Sequence, residues 1–289
     1  MTAPPPVLRC AMTGASGYVG SAIAHALRAR GWGLLELGRR ATVRSSSWHP
    51  YTLRDDAASL PWAGIDALVH CAYDFRLTEP GEIEAVNVEG SLRLLRSAHA
   101  AGVRRGVFIS SMSAFEGCRS HYGQAKVRIE AEALALGYNV VRPGLVFGPQ
   151  PGGTMGSLYR VAKLSPVLPL IGDGSYPQYL VHEDDLAALI VRLCSPEQEP
   201  PGRILSAANP ERVPFREVLQ RIAARLERRL FLVNVPWPLV LSGVRTLERL
   251  RLPSPFRSDS LIGLVYQNPA PDFTLPETLA DLPFRPFTS

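Results

Sequence analysis

The run Leu8-Arg9-Cys10-Ala11-Met12, followed at once by Thr13-Gly14-Ala15-Ser16-Gly17-Tyr18-Val19-Gly20, decides how this chain folds. A short apolar stretch is broken by three glycines at three-residue spacing, and Ser21 to Arg30 then carries apolar residues at helical spacing. The segment reads as strand, glycine turn, helix. Without side chains at Gly14, Gly17 and Gly20, backbone can come close to a bound group, and the free N–H groups opening a helix favour an anion there. The pattern points to a pyrophosphate cradle of a dinucleotide-binding fold, with an ordinary glycine turn as the blander alternative.

Similar units follow. Leu34 to Leu37 ends in Gly38-Arg39-Arg40, Ala67 to His70 ends in Cys71-Ala72-Tyr73, Val107 to Ile109 ends in Ser110-Ser111, and Asn139 to Arg142 meets Pro143-Gly144. Each looks like a buried strand ending in a loop. Helical segments at Ile83 to Ala101 and Gln124 to Leu136 lie between them, so the alternation predicts an α/β fold with a doubly wound parallel sheet. Beyond Gly148 prolines and glycines interrupt every run, and a helix near Glu183 to Leu193 returns to the first texture. We therefore expect a dinucleotide-binding domain over 1–148, a return segment near 179–195 packing on it, and a smaller substrate lobe from 149–178 and 196–289.

Of 289 residues, 46% are hydrophobic and 20% charged, which excludes a mainly disordered chain. A net charge of +5 is far from a polybasic nucleic-acid domain, and no aromatic platform accompanies the basic residues. Cys10, Cys71, Cys118 and Cys194 stand far apart with no CxxC pair, which suits a reducing cytoplasm. Met1 to Pro6 carries no signal-peptide pattern. His25, His49 and His99 are scattered without ligand spacing, so no metal is expected. Leu239, Val240, Val244, Leu247 and Leu250, interleaved with Arg245, Arg249 and Arg251, could form a basic membrane-surface helix, but packing within the small lobe is the favoured reading. His182 and Asp185 read equally well as helix capping and as substrate contacts.

Tyr122-Gly123-Gln124-Ala125-Lys126 is the most informative pentapeptide, because Lys126 and Lys163 are the chain's two lysines. Nine tyrosines and two lysines predict about 0.06 chance occurrences of this spacing. On a helix, i and i+4 share a face, so an ammonium there can lower the phenol's pKa and hold a ribose hydroxyl. The pair suits proton transfer. A hydroxyl to polarise a carbonyl is expected after the fourth strand, where Ser110, Ser111 and Ser113 are available. At the end of the second run, Gly38 leaves space where an NAD-preferring fold places an acid, and Arg39 and Arg40 suit a 2′-phosphate, so NADP is favoured over NAD.

With the glycine turn, the serine cluster, the Tyr122/Lys126 pair and Arg142-Pro143-Gly144-Leu145-Val146-Phe147-Gly148-Pro149 in that order, the sequence resembles the extended short-chain dehydrogenase/reductases, the NAD(P)-dependent epimerase/dehydratase family. His70 to Tyr73, Asn87-Val88-Glu89-Gly90, Val181 to Leu186 and Leu282 to Pro286 are further family-like landmarks. The resemblance implies a Rossmann sheet with a smaller, mostly C-terminal substrate lobe. It implies Tyr122 as acid/base, Lys126 on the nicotinamide ribose, and a serine on the reacting carbonyl, Ser111 being preferred and Ser113 the alternative. Gly14, Ser16, Gly17, Tyr18, Val19 and Gly20 would hold the pyrophosphate. His70, Cys71, Ala72, Tyr73, Asn87, Pro143 and Gly144 would line the cofactor, chiefly through backbone contacts, with Leu53 or Asp55 near the adenine.

The departures concern the substrate. Met112 falls where the family's serine is expected by ungapped alignment, and Met112-Ser113-Ala114 offers no carboxylate, which disfavours dehydration. Gln178-Tyr179 stands where nucleotide-sugar members often carry an Arg-Asp pair. The expected function is an NAD(P)-dependent oxidoreductase or epimerase moving hydride to or from a carbonyl or carbinol carbon of a sugar-like or other small molecule. A non-catalytic dinucleotide-binding module is the alternative, and a homodimer is in keeping with the resemblance.

Overall fold

The computed structural model describes residues 7–196, 202–250, 252 and 257–288. Met1 to Pro6 and Arg251 lie outside the described residues. In chain order the first half contains β1 (Arg9–Thr13), α1 (Tyr18–Ala29), β2 (Gly33–Gly38), β3 (Trp48–Pro50) and β4 (Ala67–His70). A helical turn α2 (Pro80–Glu82) runs through a π-helical stretch (Ile83–Val88) into α3 (Glu89–Ala100), and β5 (Arg105–Ile109), α4 (His121–Ala135), β6 (Asn139–Pro143) and β7 (Leu145–Phe147) follow. The second half adds α5 (Gly153–Leu164), β8 (Val167–Ile171), β9 (Pro177–Gln178), β10 (Leu180–His182), α6 (Glu183–Cys194) and β11 (Ile204–Ala207). It ends with β12 (Val213–Pro214), α7 (Phe215–Arg225), β13 (Phe231–Val235), α8 (Trp237–Arg249) and α9 (Ser258–Val265).

Seven strands form one sheet in the order β11-β6-β5-β4-β1-β2-β3, and every pairing in it is parallel. Strand order reverses direction between β1 and β4, and in open α/β sheets a ligand crevice opens outside the carboxyl ends of the strands at such a switch point. The sheet is apolar on both faces because both are covered. Cys10, Met12, Val69 and Val141 meet Ile23 and Leu27 of α1 and Leu186 and Ile190 of α6 on one side. Ala11, Leu68, Phe108 and Val140 meet Leu94 and Leu95 of α3 and Ile129 of α4 on the other. The lobe has its own core, in which Met155, Leu158, Leu170, Val218 and Ile222 pack together.

Two features redraw the expected boundary of the lobe. β11 lies within 196–289, yet it completes the main sheet beside β6, with Ile204 opposite Val140 and Ala207 opposite Pro143. Phe273, Leu275, Leu282 and Phe284 pack on the core shared by α1 and α6, so the C-terminal stretch also returns to the first domain. Asp185, buried in the first turn of α6, accepts hydrogen bonds from the backbone and guanidinium of Arg285. His182 caps the same helix, its Nδ1 accepting from the N–H of Asp184 at 3.2 Å.

Candidate active site

The turn between β1 and α1 is held by close backbone approach. Gly14 sits at φ +74°, and a Cβ there would lie 2.9 Å from the backbone N of Ala72. A Cβ on Gly20 would lie 2.0 Å from the carbonyl oxygen of Gly14. Gly17 is the N-cap of α1, with no side chain capping it and no acid in the first turn. The helix N–H groups and their partial positive charge are thus left for an anion, so the turn fits a dinucleotide pyrophosphate.

Behind the turn, a buried polar chain ties β1 to β4 and α3. Thr13 Oγ1 accepts from the N–H groups of Cys71 and Ala72 at 3.1 and 3.2 Å and lies 2.7 Å from His70 Nδ1. His70 Nε2 lies 2.8 Å from Ser91 Oγ, which donates to the carbonyl of Asn87 at 2.5 Å. With the Ser91 proton so engaged, His70 donates from Nε2 and accepts at Nδ1 from Thr13. Burial, aided by the charge of Lys126, lowers His70 to about 3, so its ring is neutral. The Asn87 side chain, within the π-helical stretch, accepts from Asp74 N–H at 2.7 Å and donates to Asp74 C=O at 3.2 Å.

A continuous cavity of about 1230 Å³ runs from this turn into the lobe. It exceeds the roughly 300–1,000 Å³ of ordinary small-molecule sites. Gly14, Ser16, Gly17, Tyr18, Val19, Gly20, Arg39, Arg40, Leu53, Cys71, Ala72, Tyr73, Ser111, Ser113, Tyr122, Lys126, Pro143 and Gly144 all line it, as the sequence reading expects. Three expected residues do not line it. His70 is fully buried in the chain just described, Asn87 holds the Asp74 loop from behind, and the Asp55 carboxylate accepts from Thr52 N–H at 2.6 Å. Thr42 and Arg54 join exposed Arg39 and Arg40 at the far end. The nearby acid, Glu36, is already engaged by Arg28 and by the backbone and hydroxyl of Thr42.

The C-terminal end of β5 and the first turns of α4 bring Ser111, Tyr122 and Lys126 together. The Ser111 hydroxyl lies beside the Tyr122 phenol. Ser111 Oγ also accepts from the N–H of Ser113 at 3.1 Å, which turns the loop. The Ser113 hydroxyl points elsewhere, toward α9, where a Cβ on Gly263 would lie 3.7 Å from it. Lys126 is buried, and its Nζ donates to the carbonyl of Ile109 at 2.7 Å. Burial lowers Lys126 to about 8, against the pull of Cys71 and Glu130. Burial raises the Tyr122 phenol, as does neighbouring Tyr73, while the Ser111 hydroxyl acts the other way.

Tyr122 is boxed by aromatic rings. Tyr73 meets it edge-on at 5.0 Å between centroids, and Phe75 lies at 5.5 Å. Two supporting groups escape the sequence reading. Asp259 of α9 accepts from the backbone N–H groups of His121 and Tyr122 at 2.7 and 3.0 Å, placing a carboxylate at the N-terminus of α4. Buried Glu130 accepts from Ser110 at 2.5 Å and is held by both guanidinium arms of Arg142, fixing the rear of α4 to β5 and β6. Asp259 is 137 positions from Tyr122 in an irregular region, so no local pattern signals it. Glu130 follows Lys126 by four residues, and that spacing does signal a shared face.

Residues 10–208 match the model of the NAD dependent epimerase/dehydratase family. The chain belongs to this family. As a member it is similar to a ceramide reductase of Caulobacter vibrioides (strain NA1000 / CB15N), 30% identical over 202 residues, which are 64% of this chain and 60% of that protein. It is also similar to a UDP-glucose 4-epimerase of Vibrio cholerae, 25% identical over 264 residues and covering 80% of each. The fold matches the crystal structure of a Thermotoga maritima UDP-glucose 4-epimerase with a TM-score of 0.69 at 20% identity, over 79% of this chain and 86% of that one. The extended short-chain dehydrogenase/reductase architecture expected from the motifs is thus the one found.

Proposed function

We propose that this chain is an NADP(H)-linked oxidoreductase that interconverts a carbonyl and a carbinol, with Ser111, Tyr122 and Lys126 as its catalytic residues. The observation that carries this reading is the convergence of these three side chains on one wall of a cavity whose other end is the uncapped start of α1. A nicotinamide dinucleotide held between the glycine turn and Lys126 would supply or accept the hydride at the reacting carbon. The Ser111 hydroxyl donates a hydrogen bond to the substrate oxygen. Tyr122 gives its phenolic proton to that oxygen in reduction and takes it back in oxidation. Lys126, positively charged below about pH 8, stabilises the phenolate left behind and holds a ribose hydroxyl.

Gly38, Arg39, Arg40, Thr42 and Arg54 support NADP over NAD, because they offer space, guanidinium groups and a hydroxyl to a 2′-phosphate while Glu36 is neutralised by Arg28. The name of the Caulobacter relative also favours reduction, whereas that of the Vibrio relative favours epimerisation through the same proton and hydride transfers. The lack of a carboxylate in Ser111-Met112-Ser113-Ala114 disfavours dehydration. The intact catalytic set disfavours a purely binding role.

The test is Tyr122→Phe. It should abolish cofactor-coupled turnover on any carbonyl substrate found for the wild type while leaving NADPH affinity within about twofold. Undiminished turnover would refute the assignment of the proton donor.

A further inference from the structure

The lobe half of the cavity has a chemistry of its own. Leu158 and Val161 of α5, Leu219 of α7, and Val240, Val244 and Leu247 of α8 face it. On α8 these are positions i, i+4 and i+7, one stripe of the helix, while Arg245 and Arg249 lie on its exposed side. Charged side chains are scarce here. Among the described residues from Leu145 onward, Arg257 and Asp259 are those with ionised groups at the cavity wall. Both are engaged: the Arg257 guanidinium donates to the carbonyls of Phe75 and Leu77, and Asp259 accepts from the start of α4. A nucleoside diphosphate carries two negative charges that need cations, and among the described residues this wall offers one, Arg257, whose two terminal nitrogens are turned to the carbonyls of Phe75 and Leu77.

From these observations we infer that the substrate's reacting carbonyl bears a long alkyl or acyl chain, which lies along α5, α7 and α8. The inference rests on the proposed function only for where the carbonyl sits; the tail site is argued from its own walls. From Val240 to Leu247 the helix rises about 10 Å, a run that accommodates roughly eight methylenes. Each methylene moved from water onto this stripe strengthens binding about three- to fourfold.

The experiment measures the affinity of a homologous series of 2-alkanones, from pentanone to tridecanone, by displacement of anilinonaphthalene sulfonate from the purified protein, with and without NADPH. Affinity should climb about three- to fourfold per methylene over at least the first several carbons. Val244→Asp should flatten that climb, and Leu247→Gln should reduce it, with NADPH affinity unchanged in both. UDP-glucose should displace nothing at millimolar concentration. Equal affinity across the series, or displacement by UDP-glucose in preference to the ketones, overturns the inference. If chain-length dependence holds but NADPH does not bind, the oxidoreductase reading falls and the apolar-chain inference stands.

Discussion

Replacing Lys126 by methionine should stabilise this protein and weaken its affinity for cofactor at the same time. Lys126 is 2% exposed, and burial takes it from 10.5 to about 8. A lowering of about 2.5 at about 1.4 kcal/mol per pH unit means that folding at pH 7 carries a cost of about 3 kcal/mol for the buried ammonium. Methionine removes that cost, fills a similar volume, and leaves the Ile109 carbonyl without its donor, a loss of about 1 kcal/mol. The net gain is about 2 kcal/mol below pH 8. As pH rises through 8, the wild-type lysine loses its proton in the folded state before it does so in the unfolded chain, so the wild type regains stability. By about pH 10.5 the advantage of the variant has gone. Urea unfolding midpoints of the cofactor-free proteins at pH 7, 8, 9 and 10 measure this directly. A variant less stable than the wild type at pH 7, or a difference that does not change with pH, would refute the reasoning.

Further outcomes follow from the same geometry. Cofactor affinity of the wild type should fall toward tenfold per pH unit above about pH 8, as Lys126 loses the charge that holds ribose and neighbouring phosphate, and the Lys126→Met variant should show no such slope in a calorimetric titration. Gly20→Ala places a methyl carbon 2.0 Å from the Gly14 carbonyl oxygen, and the forced opening of the turn should lower stability by about 3 kcal/mol and abolish dinucleotide binding, read by thermal melts with and without NADPH. Asp259→Ala removes two charge-assisted bonds at the start of α4 and should lower stability by about 1–2 kcal/mol; unchanged melting would show that the carboxylate holds nothing. Arg39→Glu combined with Arg40→Ala should reverse the cofactor preference toward NADH, measured as the ratio of the two dissociation constants.

The β1 turn and the alternation after it are legible because both are local: three glycines between an apolar run and a helix leave few other folds, and β2, β4, β5 and β6 fall where their apolar runs do. β11 is not legible in the same way. Ile204 to Ala207 is four residues long among prolines and glycines, and its place beside β6 is fixed by pairing across the sheet, which no nearby residue announces. The site divides along the same line. Tyr122 and Lys126 share a helix, so their spacing suffices to bring them together. Choosing between Ser111 and Ser113 requires the path of the loop, which the bond from Ser113 N–H back to Ser111 Oγ determines. The inward turn of the His70 side chain is not announced by its place at the end of a buried strand; it follows from Thr13 and Ser91, which satisfy both of its ring nitrogens. Burial acts on both Tyr122 and Lys126, raising the phenol while lowering the ammonium, and the spacing alone does not carry that information.

The stripe on α8 illustrates a further limit. Its spacing indicates an amphipathic helix in the sequence, and its charged flank invites a membrane-surface reading. In the structure Leu241 is buried and Val240, Val244 and Leu247 face the cavity, while Leu239 and Leu250 are exposed. No helix among the described residues is long and apolar enough to cross a membrane. Periodicity identifies a helix with one apolar face; which surface receives that face depends on the fold around it.

In the proposed function the glycine turn, the arginines after β2 and the Ser111/Tyr122/Lys126 cluster form one NADP(H)-dependent site. Its most direct test is calorimetric titration of the purified, cofactor-stripped protein with NADPH and with NADH at pH 7. The account predicts binding of both, with NADPH tighter by at least about tenfold, the scale of one charge-assisted phosphate contact. Failure to bind either dinucleotide would contradict it.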